Sequence, residues 1–430
     1  MKILVDHGAY ANFGDLAMLD AAVDRLRRIG RAQLYVCDAP LDWRWPDVAR
    51  VHYSVFAPGS LVNRITGAEL IQGQVVGGLP WVSNAWRSLM HTLLAVGATA
   101  HLVPIRTSTG WRALGQWCKE YDALFIAGGG DMNDFFPEAL WRCCALIHAF
   151  AGQGKPILLS GQQLGPLQHV ASRRLMRSAL RRANFVGVRE PTESLRICRD
   201  SGLANGQFAM YGDDSLGIAP AGSREVDALM REYQLSPRGF LAVNLRIATY
   251  SKVSPEAVHA FAEALGELAG RLGLELVAVP VSTDEGDSDI EAARSLAGEL
   301  PGVRMKVIRG RGLSPSLLKG LLGQALGAVG VSYHFNTFAL SQGVPSVALY
   351  SGAYYKQKAK GLAALWGDPR LAMPVEALGA DTAQRIQAVF QDAALREHLQ
   401  NRAAQAARDW ESMFAANIIQ RLEELGLKSP

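Results

Sequence analysis

Charge imbalance is what this sequence most lacks. Its 44 Lys and Arg against 40 Asp and Glu leave a formal net charge of +4 over 430 residues. That surplus is too mild for a general nucleic-acid binder, whose basic surface must neutralise many phosphates. Cysteine is scarce as well: Cys37, Cys118, Cys143, Cys144 and Cys198 form no CxxC. This excludes a disulfide framework and a thiolate zinc site, and predicts a reduced, cytoplasmic protein. No uncharged apolar run reaches the roughly 18–20 residues needed to cross a bilayer. The nearest approach, Leu89 to Val103, holds His91 and His101 and is flanked by Arg87 and Arg106. It reads as a core or groove helix, an interfacial position being the less favoured alternative. The opening MKILVDHGAY has too short an apolar run for a signal peptide and reads as a first strand.

What is present is a large apolar fraction, 49%, in a chain too long for one ordinary core, so two domains are expected. Apolar runs of strand length alternate with amphipathic helical segments. Ile3–Asp6, Gln33–Cys37, Ala123–Ala127, Pro156–Ser160, Phe185–Val188 and Phe208–Tyr211 read as strands, with helices over Asp15–Ile29 and Glu138–Gln153. The pattern breaks at 219–238 and restarts with Phe240–Leu245, Leu274–Pro280, Arg304–Val307, Ala328–Val331 and Ser346–Tyr350. This alternation predicts α/β architecture with parallel, doubly wound sheets. A helical tail runs from Thr382 to Leu425. Residues 39–85, rich in Trp, Pro and Gly, give no clear pattern.

In such sheets ligands sit at the carboxyl ends of strands, and the residues there carry chemistry. HGAYANFGDLAML (7–19) offers Asn12, Gly14 and Asp15 at a strand-to-helix turn; Asp15 is either a helix cap or a catalytic residue. FIAGGGDMNDFF (125–136) places Gly128, Gly129 and Gly130 where backbone N–H groups approach an anion. Asp131 and Asp134 beside them are general bases or caps. SGQQLGPL (160–167) presents Gln162 and Gln163, suited to bonding a sugar. Arg189 and Arg246 end strands, Asp213 and Asp214 follow another, and VSYHFNTF puts His334 at a strand-to-helix turn. Lys356, Lys358 and Lys360 form a basic tip on the same rim. Each has a structural alternative, a satisfied histidine or a solvated lysine face. Together they predict a site for an anionic, phosphorylated substrate. The arginine stripe of Arg173, Arg174, Arg177, Arg181 and Arg182 reads as a solvated face or, less favoured, as a contact for anionic lipid.

These motifs in this order resemble the polysaccharide pyruvyl transferase family: Asn12-x-Gly14-Asp15, the triple glycine, Gly161-Gln162-x-x-Gly165-Pro166, Val186-x-Val188-Arg189-Glu190, Gly212-Asp213-Asp214, Asn244-Leu245-Arg246, the His334 turn with Gly343-Val344-Pro345, and Tyr355-x-x-Lys358. The resemblance implies two Rossmann-like domains in a glycosyltransferase-B-like arrangement: 1–220 on the acceptor side, 238–395 on the donor side, and 396–430 packing back on the first. It implies phosphoenolpyruvate as donor, a sugar or lipid-linked oligosaccharide as acceptor, no cofactor, no metal and a pyruvate ketal as product, made in the cytoplasm or at the inner face of the membrane. It makes His334 the general acid and sets Arg189 and Lys358 on the donor; the residues themselves add Arg246 as a further clamp and Asp131 or Asp15 as the catalytic base. Ser332, Gly128, Gly129, Gly130, Asn12 and Gln162 complete the expected binding set. Ser332-Tyr333 stands where many members carry Arg-Leu, which removes one guanidinium. The alternatives are a nucleotide-sugar glycosyltransferase, disfavoured because FNTFALSQG holds no acid to grip a ribose, and a non-catalytic phosphosugar binder.

Overall fold

The computed structural model describes residues 1–37, 45–51, 70–71, 74–75 and 115–426, apart from residues 9, 46, 249–250, 252, 284–287, 301 and 311. The segment 89–103 and most of 39–85 lie outside the described residues.

The protein has an α/β fold of two Rossmann-like, doubly wound halves. The first sheet holds β1 (Lys2–Asp6), β2 (Gln33–Cys37) and β3 (Ala49–Val51). Two short segments, β4 (Leu70–Ile71) and β5 (Gln74–Val75), pair with each other alone. The first sheet continues through β6 (Ala123–Ile126), β7 (Gly129–Met132), β8 (Ile157–Leu164), β9 (Phe185–Val188) and β10 (Phe208–Met210). Its order is β10-β9-β8-β6-β1-β2-β3, with β7 paired to β8. The second sheet takes β11 (Phe240–Asn244), β12 (Glu275–Ala278), β13 (Met305–Val307), β14 (Gly327–Gly330), β15 (Ser346–Tyr350) and β16 (Ala372–Pro374), in the order β13-β12-β11-β14-β15-β16. Pairings in both sheets are parallel. Helices cover both faces of such sheets, so central strands read as unbroken apolar runs. ALFI, FVGV and SVALY are buried at every position.

Each order reverses once, between β1 and β6 and between β11 and β14. Those are the points where a crevice opens at the strand ends. The two crevices face each other across the halves. At one edge Phe13 N donates to Val281 O (2.8 Å) and Thr283 N to Ala11 O (2.9 Å). On the other side Tyr354 Oη donates to Gly130 O (3.2 Å) and Gln357 Nε2 to Leu164 O (2.9 Å). The helix Ala393–Phe414 binds both halves: Arg396 Nη2 donates to Leu326 O (2.6 Å), and Trp410 Nε1 to Asp214 Oδ1 (2.9 Å).

Several helix limits differ from the sequence reading. The first helix starts at Phe13 because Asn12 caps it, its side chain accepting from Gly14 N; Asp15 is therefore not the cap. The helix after β14 spans Tyr333–Leu340, so His334 lies inside its first turn, not before it. The basic tip is the first half of a helix, Gly352–Trp366. Lys356 and Lys360 share one exposed face, four residues apart. Lys358 faces the other way, into the crevice. β8 runs on to Leu164, so Gln162 and Gln163 are strand residues and not loop residues. No described helix is long and apolar enough to cross a membrane.

Candidate active site

The site grows from the carboxyl ends of strands in both sheets. After β1, Gly14 lies flat against the imidazole of His334, and a Cβ there would overlap the ring. One residue from each half thus makes the contact. After β6, Gly128 N donates to Asp214 Oδ2 (2.9 Å). A Cβ on Gly130 would stand 2.9 Å from Arg189 Nη2 and 3.3 Å from Lys358 Nζ. These glycines let side chains approach the backbone where any other residue would hold them off. Around Gly129 there is room: a Cβ would meet nothing nearer than 3.9 Å.

Arg189, at the end of β9, is 1% exposed. Its Nη1 donates to Asp213 Oδ2 (3.0 Å) and its Nη2 to Gln163 Oε1 (2.6 Å). Its guanidinium lies 4.1 Å above the Tyr333 ring. The same Asp213 oxygen is 3.5 Å from His334 Nε2. Asp213 therefore joins the arginine to the histidine. Burial opposes charge on Asp213, but His334, Arg189 and the Ser215 N–H outweigh it and hold the carboxyl well below its usual range. Burial lowers the pKa of His334, Arg189 and Lys358 add to this, and Asp213 works the other way. Asp214, the next residue, shifts oppositely: burial raises its carboxyl to about 7, although Ser160 and Trp410 hydrogen bonds favour its charge.

Lys358 is half-buried, with its ammonium 4.1 Å from the Tyr354 ring centroid, 5.6 Å from Tyr355 and 5.9 Å from Tyr333. Burial lowers its pKa to about 7, the nearby Arg189 reinforcing the shift. Asp15 and Asp131 act on it through space in the opposite sense. Both carboxylates border Gly8, whose Cβ would lie 2.9 Å from Asp15 Oδ2 and 3.4 Å from Asp131 Oδ2. Arg246 pairs with Asp289 (3.0 Å). Asp289 also accepts from Val281 N, Ser282 N and Asn244 Nδ2. Asn244 Oδ1 accepts from Ser332 N (3.1 Å), which sets Ser332 at the start of the histidine's helix.

The structure thus brings His334, Arg189, Lys358, Gly130, Asp15 and Asp131 to one crevice, with Arg246 and Ser332 on the facing rim. Two expected residues point elsewhere. Gln162 Nε2 donates to Ala127 O (2.6 Å) and Ser160 O (2.9 Å), bracing the strands, while its neighbour Gln163 reaches Arg189. Asn12 is held in its cap. Asp134 accepts from Gln168 N and His169 N and so fixes the loop before the helix Val170–Leu180. Asp213 and Tyr333 are the central residues that the sequence reading left out of the set. Their signal was position alone, an acid pair after a strand and an aromatic beside His334. Among the described residues, no three or more His, Cys, Asp or Glu are grouped to hold a metal ion. On the arginine stripe, Arg174 and Arg177 are exposed, whereas Arg181 Nε donates to Ser201 O (2.6 Å).

In this arrangement two guanidinium groups, an ammonium and an imidazole with a carboxylate 3.5 Å away gather over the glycines. Groups of this kind can hold a small anion and pass protons. The model of one family, polysaccharide pyruvyl transferase, matches residues 12–352. No curated protein matches the chain in sequence. Among solved structures it is similar to the S. aureus MnaA–UDP co-structure (12% identity, TM-score 0.61, covering 100% of this chain and 98% of that one). It is similar to UDP-GlcNAc 2-epimerase from Neisseria meningitidis bound to UDP-GlcNAc (13%, 0.57, 100% of each chain). Anabaena Alr3699/HepE in complex with UDP is another relative in fold (13%, 0.54, 99% of each chain). At these identities the likeness is one of fold, a glycosyltransferase-B-like pairing of two Rossmann-like halves.

Proposed function

The chain belongs to the polysaccharide pyruvyl transferase family, and from that premise we propose that this transferase moves the pyruvyl group of phosphoenolpyruvate onto a sugar of a cell-surface polysaccharide or its lipid-linked precursor. The product is a cyclic pyruvate ketal. His334 gives a proton to the donor's methylene carbon, and C2 becomes cationic. A sugar hydroxyl, its proton taken by Asp131 or Asp15, attacks C2. The C2–O bond to phosphate then breaks with its electron pair on oxygen, and a second hydroxyl closes the ring. Of the two hydroxyl protons, one is matched by the new methyl hydrogen and one leaves with phosphate. Arg189, Arg246 and Lys358 neutralise the carboxylate and phosphate ends of the donor, where the charge is greatest.

One observation carries this reading: a single oxygen of Asp213 lies 3.0 Å from Arg189 Nη1 and 3.5 Å from His334 Nε2, so the anion clamp and the proton donor sit beside one carboxylate. A bound donor adds negative charge beside His334, which opposes the lowering of its pKa and favours the imidazolium that must act. The test is phosphate release from phosphoenolpyruvate in the presence of a panel of sugar acceptors, with the ketal methyl followed by NMR. Nucleotide sugars serve as the comparison. Binding of a nucleotide sugar with no binding of phosphoenolpyruvate would overturn the reading.

A further inference from the structure

Three cations serve this crevice, and they are not equivalent. Arg189 is held by Asp213 and Gln163, and Arg246 by Asp289. Lys358 has no such anchor: among the described residues, no carboxylate or carbonyl oxygen is within bonding reach of its ammonium. Its walls are the rings of Tyr333, Tyr354 and Tyr355. These stabilise a cation without accepting its protons. The ammonium and Arg189 Nη2 converge on Gly130, where a Cβ would stand 2.9 Å from Arg189 Nη2 and 3.3 Å from Lys358 Nζ. The cation that keeps its N–H bonds free stands beside the one that has used two of its nitrogens.

We propose that Lys358 is the acid that protonates the departing phosphate, a task separate from that of His334; the assignment rests on the donor reading above. As the C2–O bond breaks, its electron pair stays on the bridging oxygen, and that oxygen takes a proton from Nζ. The second sugar hydroxyl bonds to C2, and its proton restores the ammonium. Electrons and protons balance with no outside reagent. The charged groups around Lys358 suit the cycle. Arg189, Arg246 and the His334 ring favour release of its proton, Asp15 and Asp131 favour its return, and burial brings its pKa to about 7.

The test pairs Lys358→Arg with His334→Ala in D2O, with phosphoenolpyruvate and acceptor. Two readouts are followed: deuterium entering the donor's methylene, which reports the first protonation and its reversal, and release of inorganic phosphate. Arginine keeps the charge but does not give up its proton. Lys358→Arg should therefore keep deuterium exchange within a few-fold of wild type while phosphate release falls about 10²–10⁴-fold. His334→Ala should lose both. Wild-type phosphate release by Lys358→Arg would show that charge alone matters and overturn the assignment. Parallel loss of exchange and release would also overturn it, placing Lys358 in binding or in the first step. A wild-type enzyme that neither exchanges nor releases phosphate overturns the donor reading, and this assignment with it.

Discussion

Arg189–Asp213 and Arg246–Asp289 are the same pair built twice. Each is an arginine at a strand end, each contact is 3.0 Å, and each is buried. They differ in what else the carboxylate holds. Asp289 accepts two backbone N–H groups and the Asn244 amide, so it ties the loop after β12 to the strand end of β11. Asp213 accepts one backbone N–H, from Ser215, and turns its other oxygen to Arg189 and His334. One carboxylate is saturated by framework, while the other faces the guanidinium of Arg189 and the imidazole of His334. The number of backbone donors on a buried acid thus separates a staple from a working part, although the ion pairs look alike.

Four experiments would break or sharpen that contrast. The largest effect is expected at His334. His334→Ala should lower turnover by about 10²–10⁴-fold with donor binding nearly kept. Full activity with an unchanged Tm would make the histidine a bystander. Next come Asp213→Ala and Asp289→Ala, each stranding a buried arginine at a cost of about 3–5 kcal/mol. Both should lower the denaturation midpoint. Under conditions where each remains folded, Asp213→Ala should abolish turnover, whereas Asp289→Ala, which loosens Arg246, should chiefly weaken donor binding; equal activities would erase the distinction. Arg189→Ala should raise the donor's Kd by the loss of a charge-assisted contact, about 1.5–3 kcal/mol, measurable by calorimetry.

The smallest effect is a pH slope. Asp214 has a folded pKa raised to about 7. Its contribution to stability is full below its unfolded value and is lost as pH rises to about 7. Asp213 has the opposite sign, stabilising above its unfolded value and losing that effect in acid, outside this window. Asp214→Asn sets an amide against the donors of Gly128 and Trp410 and should cost about 1–3 kcal/mol. The Tm difference between wild type and variant should shrink from pH 5 to 7. A constant difference would mean that Asp214 stays charged throughout.

How far the sequence disclosed this site depended on the kind of geometry involved. Both sheets were legible because strands buried on two faces are apolar throughout, as in ALFI and SVALY. Arg189 and His334 were legible from their places at strand ends. Phase was harder to read. Gln162 and Gln163 point to opposite sides of β8, and a register shift between Leu159 and Gln162 decides which one meets Arg189. Lys358 was marked by the Tyr355-x-x-Lys358 spacing, but that Lys356 and Lys360 face away from it followed only from the helix Gly352–Trp366. Asp213 could be ranked above Asp15 only by knowing that β9 brings Arg189 to it across a separation of 24 positions and that the second half brings His334.

The touching of Gly14 and His334 has a consequence for how errors are avoided. The glycine belongs to one half and the imidazole to the other, and Asp213, which supports that imidazole, lies with the glycine. Parting the halves by the width of a single carbon would take His334 away from its carboxylate. On the function proposed above, the enzyme behaves as a coincidence detector: His334 offers its proton only while both halves are seated, and with the halves parted a bound donor is not protonated.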